Sequence, residues 1–238
     1  MPEAGVTPPE VSVVVVTRNQ AATLPETLRS LRAQTLAPDR WELIVIDDGS
    51  TDETAEILRR EAGGARVVRQ ETQGLPAGCN TGLRLARGRY FTRIDSDDVA
   101  EPDWLETLFR ALEADPLAVC AVPDRREGDG AVWRAVRAET ENLYSLIACG
   151  TLFRARDLRA IGGFRPLYWE EYDLYLRLRS QGRFLHVERP LYGYRKHDGG
   201  MTSDREKRRQ GWKELAELWG VEALRSAGVS PDLEQAIR

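Results

Sequence analysis

"WELIVIDDGSTDETAEILRR", residues 41–60, decides the reading of the fold. Its first seven residues are a mostly apolar run, the signature of a strand buried on both faces. Asp47-Asp48-Gly49-Ser50 then interrupts the run as a turn. "STDETAEILRR" resumes with helical spacing, and Ser50 with Glu53 forms a capping-box pattern at its start. A strand, a tight acidic turn and a helix make half of a βαβ unit.

The same unit recurs on either side. "VSVVVVT" (11–17) predicts a strand, and "TLPETLRSLRAQT" a helix with Leu24, Leu28 and Leu31 on one face and Thr23–Glu26 as a second capping box. "ARVVRQ" (65–70) predicts a third strand. "PAGCNTGLRLARG" predicts a helix ending at Gly88 as its C′ residue. "RYFTRID" (89–95) is a fourth strand, and "PDWLETLFRALEA" a helix with Pro102 at or near its first turn. Alternation of this kind predicts an α/β fold with a mostly parallel central sheet flanked by helices.

From about residue 117 the pattern changes. "AVCAVP" and "AVWRAVRA" predict strands that pair antiparallel, and "GTLFR" another short one. "EEYDLYLRLRSQG" predicts a helix, and "RFLHV" and "PLYGYRKH" two strands. A glycine-containing loop with Gly199 and Gly200 leads to a polar helix from about residue 204. We therefore expect one domain over 1–238: a mostly parallel first half (10–116), a smaller mixed or antiparallel second half (117–203) and a C-terminal helical tail (204–238).

Composition narrows the class. The chain has 238 residues, 42% hydrophobic and 30% charged, with a formal net charge of −4. Nothing in that balance points to nucleic acid. Cys79, Cys120 and Cys149 are far apart and odd in number, with neither a disulfide framework nor a zinc spacing, as expected of a reducing cytoplasm. The opening "MPEAGVTPPE" lacks a signal-peptide pattern, and no apolar run reaches the roughly 18 residues of a membrane span. The expected location is cytoplasmic, with peripheral contact at the inner membrane face through the basic tail.

In a parallel sheet, ligands bind at the carboxyl ends of the strands. Thr17-Arg18-Asn19, Asp47-Asp48 and Asp95-Ser96-Asp97-Asp98 all fall there. Carboxylates packed this closely repel one another, and a hard divalent cation removes that repulsion; oxygen donors suit Mg²⁺ or Mn²⁺. The plainer reading of Asp95–Asp98 is a solvated acidic loop in which Asp98 helps the next helix begin. Asp47 and Asp48 sit where a carboxylate can accept an imide N–H or a ribose hydroxyl.

In order and spacing, "VSVVVVTRNQAATLPETLRSLRAQT", "ELIVIDDGSTDET" and "GLPAGCNTGLRLARGRYFTRIDSDD" resemble the family 2 glycosyltransferases of the GT-A fold, over about residues 10–200. The resemblance implies a metal-dependent transfer of a sugar from a nucleotide-diphosphate donor, UDP-sugar first, to an acceptor hydroxyl, with inversion, in glycan or polysaccharide biosynthesis. It places Thr17, Asn19, Asp47, Asp48, Asn80, Asp95 and Ser96 at the donor nucleotide, Asp97, Asp98 and His197 at the metal, and Arg195 and Lys196 at the diphosphate and lid. Asn80 and Gly82 match the helix facing the nucleotide, and Cys79 stands where the family usually has arginine. "YWEEYDLYLRLRSQG" resembles the family's base-bearing helix, with Glu171 in place of the usual aspartate and Glu170 as its rival. One extra methylene displaces that carboxylate by about 1.5 Å. Arg93 is expected to neutralise the acidic cluster, and His186 to be packing.

The implied partners are the nucleotide-sugar, a glycan or lipid-linked acceptor, an anionic membrane met by the tail's Arg205, Lys207, Arg208, Arg209 and Lys213, and a second subunit, which the helical spacing of Trp212, Leu215 and Trp219 would meet if it does not dock on the core. Two rivals stand beside this reading: a nucleotide-sugar-binding module that lost transfer, and a phosphohydrolase using Asp95 as nucleophile.

Overall fold

The computed structural model describes residues 8–197 and 204–229. The Gly199–Gly200 loop lies outside the described residues. β1 (Val11–Thr17), β2 (Trp41–Asp47), β3 (Arg66–Arg69) and β4 (Tyr90–Asp95) run parallel in the order β3-β2-β1-β4. The connections between them are α1 (Leu24–Arg32), α2 (Thr54–Glu61) and α3 (Leu75–Leu85). Register sets Thr17 opposite Asp47 and Val16 opposite Asp95, so the acidic turns share one edge.

The valines of β1 alternate between two cores, as a period of two demands. Val11, Val13 and Val15 pack with Leu24, Leu28 and Ile57 on one face; Val14 packs with Cys79, Leu83 and Phe91 on the other. Helix α3 lies unusually close to β1: a Cβ on Gly78 or Gly82 would come within 2.5 Å of Val16 or Val14.

Beyond β4 come β5 (Val99–Ala100), α4 (Trp104–Ala114), β6 (Ala118–Gly128), β7 (Trp133–Val136), β8 (Leu152–Arg154), α5 (Ala155–Ala160), α6 (Glu170–Leu178), β9 (Arg183–Arg195), α7 (Arg205–Trp219) and α8 (Val221–Ser226). The sheet continues β4-β8-β6-β9-β5, with β7 paired to β6. β8 is antiparallel to both neighbours, β7 to β6 and β5 to β9, while β6 and β9 run parallel. The expected α/β architecture is present, with its mixed part in the second half.

Three local expectations need correction. "RFLHV" and "PLYGYRKH" are one strand, β9, which absorbs Pro190 at a register shift against Asp124, a place where a missing N–H is tolerated. Neither capping box forms: the Ser50 hydroxyl instead accepts from the Asn19 N–H, and the Thr23 hydroxyl donates to Gln20 Oε1 and the Ser96 carbonyl. Gly88 is not a C′ residue, since α3 closes at Ala86; it lies against β1, where a Cβ would meet Ser12 N at 2.7 Å.

Candidate active site

Asp47 and Asp48 end β2 with their carboxylates turned into the protein. Asp47 Oδ1 accepts from the Ser50 N–H (2.9 Å), and Oδ2 meets Arg69 Nη1 at 2.9 Å. Asp48 Oδ1 accepts from Gln70 Nε2 (2.7 Å) and the Gln73 N–H (2.9 Å), and Oδ2 from the Gly74 N–H (2.9 Å). The first holds the turn after β2; the second holds the segment entering α3. A carboxylate offers about four acceptor positions, so Asp48 retains one. Arg69, Gln70 and Gln73, which complete this edge, carry no motif in the sequence. Asn19 is left-handed (φ 54°), and its Oδ1 accepts from the Thr51 N–H at 2.7 Å. Thr17 Oγ1 is buried without a hydrogen-bond partner. Asn80 brackets the Phe164 backbone instead, accepting from its N–H at 2.9 Å and donating to its carbonyl at 2.7 Å.

A cleft opens beside this edge, lined by Asp95, Ser96 and Asp97 on one side, Glu170 and Glu171 on another, and Arg195 and His197 along the rim. Asp97 and His197 meet directly, Oδ2 to Nε2, at 2.8 Å. Arg195 Nε donates to the Asp97 carbonyl (2.9 Å) and Nη2 to Glu26 Oε2 (2.6 Å). Lys196 turns away from the cleft and pairs with Glu127.

Asp98 faces inward. Its Oδ2 accepts from the Tyr192 hydroxyl (2.6 Å) and its Oδ1 from the Arg195 N–H (2.7 Å). Asp95, Asp98 and Cys149 present ligand atoms within 4.8 Å of one another. Burial raises the pKa of both aspartates, and repulsion from Asp97 adds to it. Burial likewise raises the Cys149 thiol.

Arg93 answers the acidic cluster from beneath. It is 4% exposed, with Nη2 2.8 Å from Glu170 Oε1, Nε 3.9 Å from Asp95 Oδ1, and Nη1 donating to Cys79 Sγ at 3.6 Å. The Glu170 contact is Coulombic rather than directional, because Oε1 and Arg93 Nε both lack a well-aligned hydrogen bond. The Cys79 thiol, raised by burial to about 11, is a neutral neighbour of this cation.

Glu171 stands in the first turn of α6 and lines the cleft. Burial, and then the adjoining Glu170 carboxylate, push its pKa well above the usual value. Glu170 is 1% exposed and taken by Arg93. Asp173 points elsewhere, toward Arg165, Arg177 and Trp219. His186 pairs with Asp124 at 2.7 Å, outside the cleft lining.

The donors facing the cleft fit a divalent ion. A carboxylate and an imidazole already in contact suit Mn²⁺, and the carboxylates suit Mg²⁺. Asp97 and His197 face the cleft and touch each other, whereas Asp98 turns both oxygens toward Tyr192 and the Arg195 N–H.

The chain resembles solved structures along nearly its whole length. Mannosyltransferase PcManGT from Pyrobaculum calidifontis, in complex with GDP-Man and Mn²⁺, superposes with a TM-score of 0.76 at 21% identity, covering 97% of this chain and 72% of that one. S. aureus TarS in complex with UDP-GlcNAc gives 0.72 at 20% identity, covering 92% and 70%. Chondroitin synthase of Escherichia coli is 30% identical over 199 residues, 77% of this chain and 28% of its own length. The chain spans between 20% and 39% of the length of such curated relatives. Residues 12–169 match the pattern described as Glycosyl transferase family 2, two thirds of the chain, and the chain belongs to that family.

Proposed function

We propose that this chain transfers a sugar from a nucleotide-diphosphate donor to an acceptor hydroxyl, inverting the anomeric carbon, with Glu171 as the base. One observation carries the reading: the same cleft holds the Asp97–His197 pair on one side and the desolvated Glu171 on the other. The fold supports it, since proteins solved with UDP-GlcNAc and with GDP-Man share it.

Donor binding falls to the strand-end edge. Asp48 keeps one acceptor position for a base imide N–H, which suits uracil or thymine, and UDP is the first choice of donor nucleotide. Asn19 and Asp47 hold the turn beside it, through Thr51, Ser50 and Arg69. Asp97 and His197 would hold a Mn²⁺ or Mg²⁺ ion, which would supply Lewis-acid charge for a diphosphate leaving group. The Arg195 guanidinium, fixed by the Asp97 carbonyl, adds positive charge at the rim. Glu171 accepts the proton of the acceptor hydroxyl as that oxygen attacks the face opposite the leaving group. Its raised proton affinity strengthens it as a base once ionised. Arg93 compensates Glu170, so the charge beside the base is met by a cation.

Acceptor chemistry belongs to the second half. The exposed Arg205, Lys207 and Arg209 on α7 suit a lipid-diphosphate acceptor or an anionic membrane surface. No helix among the described residues is long and apolar enough to cross a bilayer.

The test is release of nucleoside diphosphate from a panel of UDP-, dTDP-, GDP- and CDP-sugars with Mn²⁺ and an acceptor library. Turnover of one series, reduced about 10²- to 10⁴-fold in Glu171→Gln with donor affinity kept, is expected. Full turnover in Glu171→Gln removes the proposed base, and donor binding without transfer to any acceptor removes the enzyme.

A further inference from the structure

The residues that match the family stop at 169, one position before the helix that carries Glu171. That helix begins without help of its own. Its N-cap, Trp169, makes no side-chain capping bond, and its first turn holds Glu170, Glu171 and Asp173. The first N–H groups of a helix have no intrahelical partner, so an uncapped first turn depends on the pairing of Glu170 with Arg93, of Asp173 with Arg165 and Arg177, and on what packs against it.

What packs on it is α7. Trp212 stacks on Trp169 (ring centroids 4.6 Å apart, 29° between planes) and on Tyr172 (5.3 Å, 19°), the residues on either side of the Glu170–Glu171 pair. Trp169 Nε1 donates to the Arg208 carbonyl at 3.3 Å, and Trp219 Nε1 to Asp173 Oδ1 at 3.1 Å. Gly211 lets α7 approach: a Cβ there would lie 2.6 Å from Tyr168 Cβ. Trp212 is 2% exposed and its own N–H has no partner, so it acts through its ring faces alone.

The next helix grips the other wall. The Leu143 N–H donates to the Ala227 carbonyl at 3.1 Å, and a Cβ on Gly228 would come within 2.9 Å of Asn142 Cα. That contact fixes the 3-10 turn Leu143–Ser145, from which the chain runs directly to Ile147 and Ala148 in the cleft wall. The helix pair thus touches both acceptor-side walls and is absent from the cleft lining itself.

We propose that α7 is a positioning strut for Glu171, acting through the ring of Trp212 and the N–H of Trp219. The inference rests on the reading of Glu171 as the base. Aromatic docking that served stability alone would lower the folded fraction and leave the turnover of folded protein intact. A strut controls where the carboxylate stands, and a misplacement of about 1 Å can cost about 100-fold in rate.

The experiment measures kcat, donor KM and calorimetric affinity for the donor nucleotide with Mn²⁺, on folded protein verified by circular dichroism. In Trp212→Ala, kcat is expected to fall about 10- to 100-fold, with donor KM and affinity within about twofold of the parent. Trp212→Phe, which keeps a stacking ring, restores most of the loss. Trp219→Phe, which removes one N–H, costs a few-fold in kcat. In a Glu171→Gln background Trp212→Ala adds little, because both changes act on one group. An unchanged kcat in Trp212→Ala overturns the strut, as does an equal loss of donor affinity or a full additional loss in the Glu171→Gln background. If Trp212→Ala does not fold, Trp219→Phe decides on the same split, and parental kcat there overturns the strut. Failure of the base reading looks different, because Glu171→Gln itself then turns over at the parental rate.

Discussion

The strand-end turn after β2 and the acceptor wall handle their carboxylates in opposite ways. At the turn after β2, Asp47 and Asp48 are engaged by the fold, accepting from Ser50, Gln70, Gln73 and Gly74 and pairing with Arg69. On the acceptor side, Glu170 meets one buried guanidinium without good hydrogen-bond alignment, and Glu171 is left with its proton affinity raised by burial. A carboxylate that organises backbone is satisfied before any ligand arrives. One that is desolvated and under-bonded is held ready to change its protonation. The donor edge is therefore built for shape, and the acceptor wall for proton transfer.

Four substitutions can break or sharpen that contrast. The largest effect is expected from Glu170→Gln, which leaves Arg93 buried without its carboxylate partner; unfolding in urea should show a loss of about 3–5 kcal/mol. A loss below about 1 kcal/mol would mean that Asp95 alone compensates Arg93. Next, Asp97→Ala should weaken metal-supported donor binding about 100-fold or more, read by calorimetry, with little change in thermal midpoint because the side chain faces the cleft. Asp48→Asn follows, with about 2 kcal/mol lost in urea unfolding, since an amide cannot accept from the same three donors. Unaltered stability there would show that the donor edge is not organised as described.

The smallest effect has a definite sign. Glu171 has a folded pKa raised above the ordinary 4.5, so the folded state binds more protons than the unfolded state between those two values. Its contribution to stability is fully present below about 4.5 and is lost as pH rises through the folded value. Gln mimics the protonated form, so Glu171→Gln should melt slightly above the parent near pH 8 and converge with it near pH 4. The same shift moves the acid limb of kcat upward from the ordinary glutamate range, because the base works only when ionised.

Much of the donor half was legible because its contacts are local. Each strand, turn and helix follows the last, and the valines of β1 announce their double burial without reference to anything distant. The capping boxes misled because their hydroxyls found partners far along the chain: Asn19 for Ser50, and Ser96 for Thr23. The second half was legible mainly as elements. The unbroken β9, the insertion of β8 between β4 and β6, and the approach of Cys149 to Asp95 and Asp98 are set by long-range pairing that no local period encodes. Trp212, Leu215 and Trp219 recur at helical spacing and mark one face of the tail. Its target, the first turn of α6, emerges only from the folded chain.

The most direct test of the central claim is calorimetric titration with UDP, dTDP, GDP and CDP, each with Mn²⁺ and again with chelator. The account predicts binding of one nucleotide, UDP first, that disappears with chelator and in Asp97→Ala. Absence of metal-dependent binding to all four would make the Asp95–Asp98 turn a surface feature of the fold and contradict the proposed transferase.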